Sequence, residues 1–220
     1  VSIEKNIIVV NANSGKVDNY AIVAEEIDDL TIVNNDVTFS GKVDNQFVTI
    51  GYDDWGNPIY DSSNNTHAYG IFVKNSDAVI KYNDFDIAIP TFAVNWAAGR
   101  DSFSEGIVLV GCDDVIFDYN NVTVTVNGGD SQNTIYGVDI FNSENPCIEY
   151  NNITVNGAGY TYAIIINDEG FIISENNITV TSDEYVCGID VEGTAEGQIA
   201  NNIINAVASN SAYPIYSGMN

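Results

Sequence analysis

The sequence predicts an all-β fold in which the chain winds as a parallel β-helix, a solenoid of about seven coils with three short strands each. Paired Asn residues recur along the chain, and apolar residues alternate with Thr or other polar residues around each pair. No segment shows the 3.6-residue period of a helix of ordinary length. Period-2 alternation with β-branched residues indicates strands, and a repeat of this kind indicates a solenoid.

Each coil begins with a strand of one type, seen in YAIVA, YGIFV, EGIVL, YGVDI, YAIII and CGIDV, with YPIYS opening a last, unfinished copy. A small residue occupies the second place in the full copies. A polar bend and a second strand follow, as in VIKY, IFDY and CIEY. Stacked coils would place like residues in ladders. The inward residues of the second strand are then predicted to be Ile32, Ile80, Phe117, Ile148 and Ile173.

The first Asn of each pair is expected at a sharp bend before the third strand, because Asn tolerates the left-handed backbone region better than other non-Gly residues. Stacked amides can also hydrogen-bond to one another along the axis. The predicted structural ladder is Asn35, Asn83, Asn120, Asn151, Asn176 and Asn201, with Lys5 at the equivalent place of a degenerate first copy. The third strand would bury Val37, Phe85, Val122, Ile153, Ile178 and Ile203, and would expose Thr38, Asp86, Thr123, Thr154, Thr179 and Ile204.

Length variation falls at one corner of the coil, where long segments are inserted near 40–68, 88–105 and 126–135 of a single domain covering 1–220. Insertions on one side of a repeat protein often build its binding face. Tyr and Trp are suited to stacking on sugars or anchoring a protein partner. The candidate ligand-binding residues in these loops are Tyr52, Asp53, Asp54, Trp55, Tyr60, Trp96 and Arg100. Alternatively, the loop aromatics only cover the outer residues Phe72 and Val108.

The chain is strongly acidic, with a net charge of −25. This charge excludes nucleic acid and anionic membranes as partners, and no apolar run is long enough to insert into a membrane. Carboxylates recur at the bend after the first strand, and stacking would bring them close enough to repel one another unless a cation such as calcium bound there. The candidate calcium ligands are Asp77, Asp113, Asp114, Glu144 and Asp168, and the alternative is a solvated acidic edge.

Two features bear on the location of the protein. The Asn-x-Thr triplets beginning at Asn64, Asn121, Asn152 and Asn177 are glycosylation sites if the chain is exported, and they favour an extracellular protein. Cys112, Cys147 and Cys187 are too few and too irregularly spaced for a disulfide framework or a CxxC metal site, and are interpreted as packing residues.

Through its NN or ND corners and YGI-type strands, the chain resembles the right-handed parallel β-helix repeats of pectate-lyase-like proteins, and within them the Asn- and Ile-rich adhesin-like surface proteins of methanogenic archaea. The resemblance covers most of the chain. It implies a right-handed coil and an extracellular protein displayed on the cell envelope of an archaeon. Separately, the incomplete copies VSIEKNIIVV and SAYPIYSGMN predict a segment of a longer surface protein, and the sequons predict a glycoprotein. The fold alone implies no activity.

The function expected from these observations is a non-catalytic adhesin-like or envelope structural module whose inserted loops bind carbohydrate or a surface protein. One alternative is a filament or sheath subunit that stacks end to end with its copies. Another is a polysaccharide-cleaving enzyme, for which Asp53 with Asp54, and Asp113 with Asp114, supply carboxylate pairs. The NTD, GHG and RIK motifs of polygalacturonase-like hydrolases are absent, and the protein is therefore predicted not to be an enzyme.

Overall fold

The computed structural model describes residues 1–12, 18–41, 48–52, 55, 58–61, 67–90, 103–127, 134–193 and 196–218. Three parallel sheets, A, B and C, contain seven strands each, and the chain passes through them in the order A, B, C in every coil. The protein is a right-handed parallel β-helix, which confirms the predicted fold class. No helix that could span a lipid bilayer occurs in this part of the chain.

The strands of sheets A and B are short, as the sequence predicted, whereas two strands of sheet C are longer, with 11 residues in Thr134–Glu144 and 10 in Tyr160–Glu169. Sheet A contains β1 (Ser2–Glu4), β4 (Leu30–Val33), β9 (Ala78–Lys81), β12 (Ile116–Asp118), β15 (Cys147–Glu149), β18 (Phe171–Ser174) and β21 (Gly197–Ala200). Sheet B contains β2 (Ile7–Asn11), β5 (Asp36–Ser40), β10 (Asp84–Pro90), β13 (Asn121–Asn127), β16 (Asn152–Asn156), β19 (Asn177–Ser182) and β22 (Ile203–Ala208). Sheet C contains β3 (Asn19–Glu25), β8 (Ala68–Lys74), β11 (Phe103–Val110), β14 (Thr134–Glu144), β17 (Tyr160–Glu169), β20 (Tyr185–Val191) and β23 (Ser211–Ser217).

The core consists of ladders of apolar side chains that run along the helix axis. In sheet A the fully buried ladder is Ile32, Ile80, Phe117, Ile148 and Ile173, paired in this register from coil to coil. In sheet B it is Val37, Phe85, Val122, Ile153 and Ile178. Each coil therefore buries its apolar residues only by stacking on its neighbours.

The corner between sheets A and B is held by a ladder of buried asparagine side chains. In each coil after the first, the side-chain oxygen accepts hydrogen bonds from the backbone N–H and the amide Nδ2 of the ladder residue in the preceding coil. Asn120 Oδ1, for example, accepts both from Asn83 at 3.0 Å. Its own Nδ2 donates to the carbonyl of Ile80 at 2.8 Å and to Asn151 Oδ1 at 3.2 Å. These four bonds satisfy both donors and both acceptor sites of the amide. The ladder residues are Asn6, Asn35, Asn83, Asn120, Asn151, Asn176 and Asn202.

Two details of the predicted corner are wrong. In the last coil the ladder residue is Asn202 and not Asn201, and in the first coil it is Asn6 and not a residue aligned with Lys5. The left-handed backbone conformation belongs to the residue before the ladder Asn, at Lys5, Asn34, Tyr82, Tyr119, Tyr150, Glu175 and Asn201. The ladder Asn itself does not take a positive φ. Its four hydrogen bonds, and not a left-handed backbone, therefore explain why Asn occurs at this position.

The same one-residue shift changes the last strand of sheet B. Ile178 pairs with Ile204, and not with Ile203 as predicted. Ile203 is 70% exposed, whereas Ile204 packs against the core. A one-residue change of register moves every side chain of a strand to the opposite face, so the error exchanged the predicted inward and outward residues of this coil.

Sheets B and C approach each other closely at the small residues of the YGI-type strands. A Cβ atom on Gly137 would lie 2.5 Å from Val155 Cγ2 and 2.6 Å from the carbonyl oxygen of Ala163. Gly70, Gly106 and Gly188 face similar contacts with apolar side chains of sheet B. The small second residue of each strand therefore allows the two sheets to pack.

The predicted insertions all connect a sheet B strand to the next sheet C strand. They lie between β5 and β8, between β10 and β11, and between β13 and β14. The first contains an antiparallel hairpin of β6 (Val48–Tyr52) and β7 (Pro58–Asp61). In later coils two or three residues make the same connection. Each long connection thus leads into the first residue of a sheet C strand, β8, β11 or β14.

Replacing Asn120 by Ala should lower the free energy of unfolding by about 3 kcal/mol or more, because two buried N–H donors of Asn83 and the carbonyl of Ile80 lose their partner. Asn121 is the matched control. Its amide is exposed and bonds Asp84 and Asn152, so water can replace it, and Asn121→Ala should cost less than about 1 kcal/mol. Urea unfolding of both variants measures the difference, and equal losses would contradict a special role for the buried ladder.

Candidate binding face on sheet C

The outward surface of sheet C carries two columns of side chains, which together are called the sheet C face. The first column is Tyr20, Tyr69, Glu105, Tyr136, Tyr162, Cys187 and Tyr213, and the second is Val23, Phe72, Val108, Asp139, Ile165, Asp190 and Tyr216. Both columns face outward although their residues are three apart in each strand, because two consecutive buried residues, such as Gly70 and Ile71, interrupt the alternation between them. Aromatic and acidic side chains therefore stack on one face over the length of the solenoid.

Tyrosine rings contact one another along this face. The Tyr20 and Tyr69 rings are stacked with their centroids 5.4 Å apart, and the single histidine, His67, stacks on Tyr69 at 5.5 Å. Further along, the Tyr136 and Tyr162 rings meet at 5.4 Å with their planes tilted by 45°. Tilted rings keep part of their faces available, whereas parallel stacked rings cover each other. The tilted group continues through Tyr160, Tyr185, Tyr213 and Tyr216.

Three carboxyl groups lie among these aromatic rings. Burial raises the pKa of Glu105 to about 7, although the hydrogen bond donated by Tyr69 lowers it. Burial, together with the charges of Glu105, Glu192 and Asp168, raises the pKa of Asp139 to about 7. Burial and the charge of Glu192 raise the pKa of Asp190 to about 6. Groups perturbed by burial and neighbouring charges are enriched at functional sites.

Asp190 differs from the other two in its hydrogen bonding. The residue is only 6% exposed, and its Oδ1 atom is buried without a hydrogen-bond partner. An unsatisfied buried acceptor is costly unless a ligand or water donates to it. Asp190 therefore offers an acceptor to a hydroxyl or amide group of a bound molecule.

Three adjoining clefts open on the sheet C face and the bend that follows it, and Asn167 lines all three. One, of about 250 Å³, is lined by Tyr136, Asp139, Ile140, Phe141, Ile165, Asn167 and Glu192. The second, of about 280 Å³, is lined by Asn167, Asp190, Val191, Glu192, Gly193, Tyr216 and Gly218. The third, of about 340 Å³, lies where β14 and β17 end, and it is lined by Ser143, Glu144, Asn145, Asn167, Asp168 and Glu169. Aromatic and carboxyl groups line the two clefts on the sheet C face.

The loop residues predicted to bind a ligand are only partly described. Asp53, Asp54, Trp96 and Arg100 lie outside the described residues, and Asn64 does also. Tyr52 and Tyr60 belong to the two strands of the β6–β7 hairpin, in which Tyr52 pairs with Pro58. Trp55 is 87% exposed. A binding role for these residues stays a prediction.

The five carboxylates predicted to bind calcium do not converge. Asp77, Asp113, Asp114 and Glu144 are exposed, whereas Asp168 is buried. Among the described residues, no three of the five bring an oxygen atom within 4.8 Å of one another. The physical reason at Asp168 is that its Oδ1 turns inward and accepts the backbone N–H of Ser143 at 2.8 Å. Buried Ser76, Cys112 and Ser143 occupy this corner in the preceding coils.

A separate tyrosine stack lies at the corner between sheets A and B. The Tyr82, Tyr119 and Tyr150 rings are nearly parallel, with centroids 5.1 and 4.8 Å apart. All three residues take a positive φ, which points their rings outward beside one another. Because each ring covers its neighbour, this stack offers a ligand mainly ring edges.

The described sequon residues form a second, outer ladder beside the buried one. Asn152 Nδ2 donates to Asn121 Oδ1 at 2.8 Å, and Asn177 Nδ2 donates to Asn152 Oδ1 at 3.0 Å. All three residues are exposed. These side chains therefore lie on the surface of the protein.

Sequence reasoning did not single out Glu105, Asp139 and Asp190. A signal existed, because each is a carboxylate within or beside an otherwise apolar YGI-type strand. Cys112 and Cys187 are buried, in agreement with a packing role, but Cys147 is only partly buried. Its surroundings are polar, unlike those of a packing residue.

Acidification should stabilise this face. The raised pKa values of Glu105 and Asp139 mean that their contribution to stability is present at low pH and is lost as the pH rises through about 7. In the double variant Glu105→Gln, Asp139→Asn, the change in Tm between about pH 5 and 8 should therefore be smaller than in the parent protein. The double variant Asp113→Asn, Asp114→Asn, at two exposed carboxylates, controls for the loss of two negative charges. Equal pH dependence in all three proteins would rule out buried carboxyls on this face as its source.

The three-sheet coil establishes the fold class of this protein but not its family. No protein-family model matches the chain, and no curated protein or solved structure is significantly similar to it. The resemblance to adhesin-like surface proteins therefore rests on the sequence motifs alone.

Proposed function

We propose that the protein is a non-catalytic, adhesin-like module of a cell surface, and that it binds carbohydrate on the sheet C face. The observation that carries this proposal is the alignment of tilted tyrosine rings with partly buried carboxyl groups along adjoining clefts. A repeat of like residues from coil to coil suits a polymer whose own units repeat. The relevant ligand is accordingly a polysaccharide or an extended glycan.

The chemistry of the face favours a neutral or amino sugar over an acidic one. Tyrosine rings pack on the apolar C–H faces of sugars while their hydroxyl groups hydrogen-bond. Carboxyl groups such as Asp139 and Asp190 accept hydrogen bonds from sugar hydroxyls. A net charge of −25 disfavours uronates and sulfated glycans, because like charges repel. A neutral or amino sugar is the best match.

The inserted loops extend the proposed site. They lead directly into β8, β11 and β14, whose outward residues form the first half of the sheet C face. Trp55, at 87% exposure, supplies an aromatic surface of the kind that binds sugars. In this proposal the hairpin and the other insertions form one border of the binding face.

An extracellular location and a relation to archaeal adhesin-like proteins are part of the proposal. The β-helix fold supports them, since such solenoids serve as extended surface modules in the family that the sequence resembles. The exposed sequon ladder of Asn121, Asn152 and Asn177 supports them also, because such triplets are modified only in exported proteins. The solenoid would then display its binding face along its length.

A polysaccharide hydrolase is the second candidate, and one observation favours it. Glu105 and Asp139 share a face and have pKa values raised to about 7, as a catalytic acid requires. The absence of the polygalacturonase-type motifs favours binding without cleavage. Release of reducing ends from a bound polysaccharide would decide for the hydrolase.

A glycan array followed by affinity measurements on the bound polysaccharide tests the proposal. Tyr162→Ala should weaken binding about tenfold, which corresponds to about 1.4 kcal/mol of lost stacking. The matched control is Tyr119→Ala, which removes an exposed ring from the stack between sheets A and B and should leave binding unchanged.

Trp55→Ala tests the loops separately. If glycan affinity falls in Trp55→Ala but not in Tyr162→Ala, the binding site lies on the insertions and not on the sheet C face. If the folded parent protein binds no glycan on the array, the carbohydrate proposal fails.

A further inference from the structure

A different cluster lies on the outward side of sheet A. One side-chain ligand atom each from Asp118, Cys147 and Glu149 lies within 4.8 Å of the other two. Among the described residues this is the only group of three or more His, Cys, Asp or Glu ligand atoms so close together. It has no part in the proposed carbohydrate site on sheet C.

The register of sheet A assembles this cluster. Cys147 and Glu149 are two residues apart on β15, so strand alternation places both on the same side. Asp118 on β12 pairs directly with Glu149, and Lys81 on β9 pairs with Asp118. On the other side Glu149 pairs with Ser174 of β18. Residues from four coils thus form one line of polar groups across the sheet.

The hydrogen bonding of the cluster is incomplete at its centre. Lys81 Nζ binds Asp118 Oδ2 at 2.9 Å. Asp118 is only 7% exposed, and its other oxygen, Oδ1, is buried without a hydrogen-bond partner. A buried carboxylate oxygen normally has a partner, because leaving it unsatisfied costs free energy. The position calls for a group that binds this oxygen.

The other two ligand groups are the Cys147 thiol and the Glu149 carboxylate, and Glu149 accepts hydrogen bonds from uncharged donors. The Cys147 thiol donates to Glu149 Oε2 at an S···O distance of 3.3 Å, and the Ser174 hydroxyl donates to Glu149 Oε1. The thiol proton therefore lies between a sulfur atom and a carboxylate. A metal ion that replaced this proton would bind both atoms at once.

We propose that Asp118, Cys147 and Glu149 form a binding site for a divalent transition-metal ion of the Zn²⁺ type. Sulfur and oxygen ligands together suit a borderline ion, whereas Ca²⁺ and Mg²⁺ prefer oxygen alone. The sulfur and one oxygen from each carboxylate supply three ligands, and water completes a tetrahedron. On binding, the Cys147 S–H bond breaks, the sulfur keeps the electron pair, and the proton leaves to solvent; no oxidant or reductant takes part.

Lys81 has a defined part in this site. Its ammonium group already neutralises one charge of Asp118, so it competes with a bound cation for that carboxylate. With Lys81 in place, the two carboxylates and the thiolate carry a net charge of −2, which a divalent ion balances. Removal of the lysine charge is therefore expected to strengthen metal binding. If Lys81 and Asp118 formed only a structural ion pair, the same change would remove that pair and would not increase the affinity for a metal ion.

Titration of the intact protein with Co²⁺ and Zn²⁺ tests the site. Co²⁺ should produce a thiolate-to-metal charge-transfer absorption. Zn²⁺ should displace the bound Co²⁺ and so remove this absorption. Zn²⁺ should also slow the reaction of Cys147 with a disulfide reagent, while Cys112 and Cys187, which are buried, contribute little to that signal. Cys147→Ser should abolish the absorption, and Asp118→Asn should weaken Zn²⁺ binding at least about tenfold.

Lys81→Met should tighten Zn²⁺ binding, and Asp113→Asn, at an exposed carboxylate outside the cluster, should leave it unchanged. Zn²⁺ binding that persists unchanged in Cys147→Ser, or the absence of any Co²⁺ absorption in the folded parent protein, would overturn the proposal. Circular dichroism of each variant shows that the β-helix is retained, so that a loss of binding is not a loss of folding.

Discussion

The buried asparagine ladder is the interaction on which the register of the whole solenoid depends. From Asn35 to Asn176, each ladder amide uses both of its donors and both acceptor sites within the protein, and it joins its coil to the two adjacent coils. A shift of one residue would break these bonds and expose the apolar ladders of sheets A and B. Hydrogen bonding at one corner and apolar burial at the strands thus select the same register, which is the consistency expected of a uniquely folded repeat.

This constraint leaves the outer faces free to vary. The inward positions of sheets A and B are occupied by Ile, Val and Phe in nearly every coil, but the outward positions pass from Val23 and Phe72 to Asp139 and Asp190 within one column. Since inward ladders stabilise the fold, outward residues can be chosen for other purposes. The proposed carbohydrate face and the proposed metal cluster both lie on outward positions, one on sheet C and the other on sheet A.

Much of the fold was predictable from sequence because its signals are local. The period-2 alternation located the strands, and the recurring Asn located the corner in five coils, from Asn35 to Asn176. The last coil was misaligned because Asn201 and Asn202 are identical in type, and only their pairing with Glu175 and Asn176 distinguishes them. The outward clusters were harder to predict. Whether Asp118 or Asp190 is buried depends on side chains from coils 25 or more residues away, and one sequence does not show how those side chains cover each other.

The excess of negative charge explains why both clusters have unusual chemistry. Within the described residues a single ion pair occurs, between Lys81 and Asp118, so most carboxylates have no cationic partner. Stacking nevertheless brings carboxylates of successive coils together and partly buries some of them. On sheet C burial raises the pKa values of Glu105 and Asp139, and the Tyr69 hydroxyl partly offsets this effect by donating a hydrogen bond to Glu105. On sheet A, Lys81 balances one charge, which leaves Glu149 and the unpartnered Asp118 oxygen as the place where a bound cation stabilises the stack most.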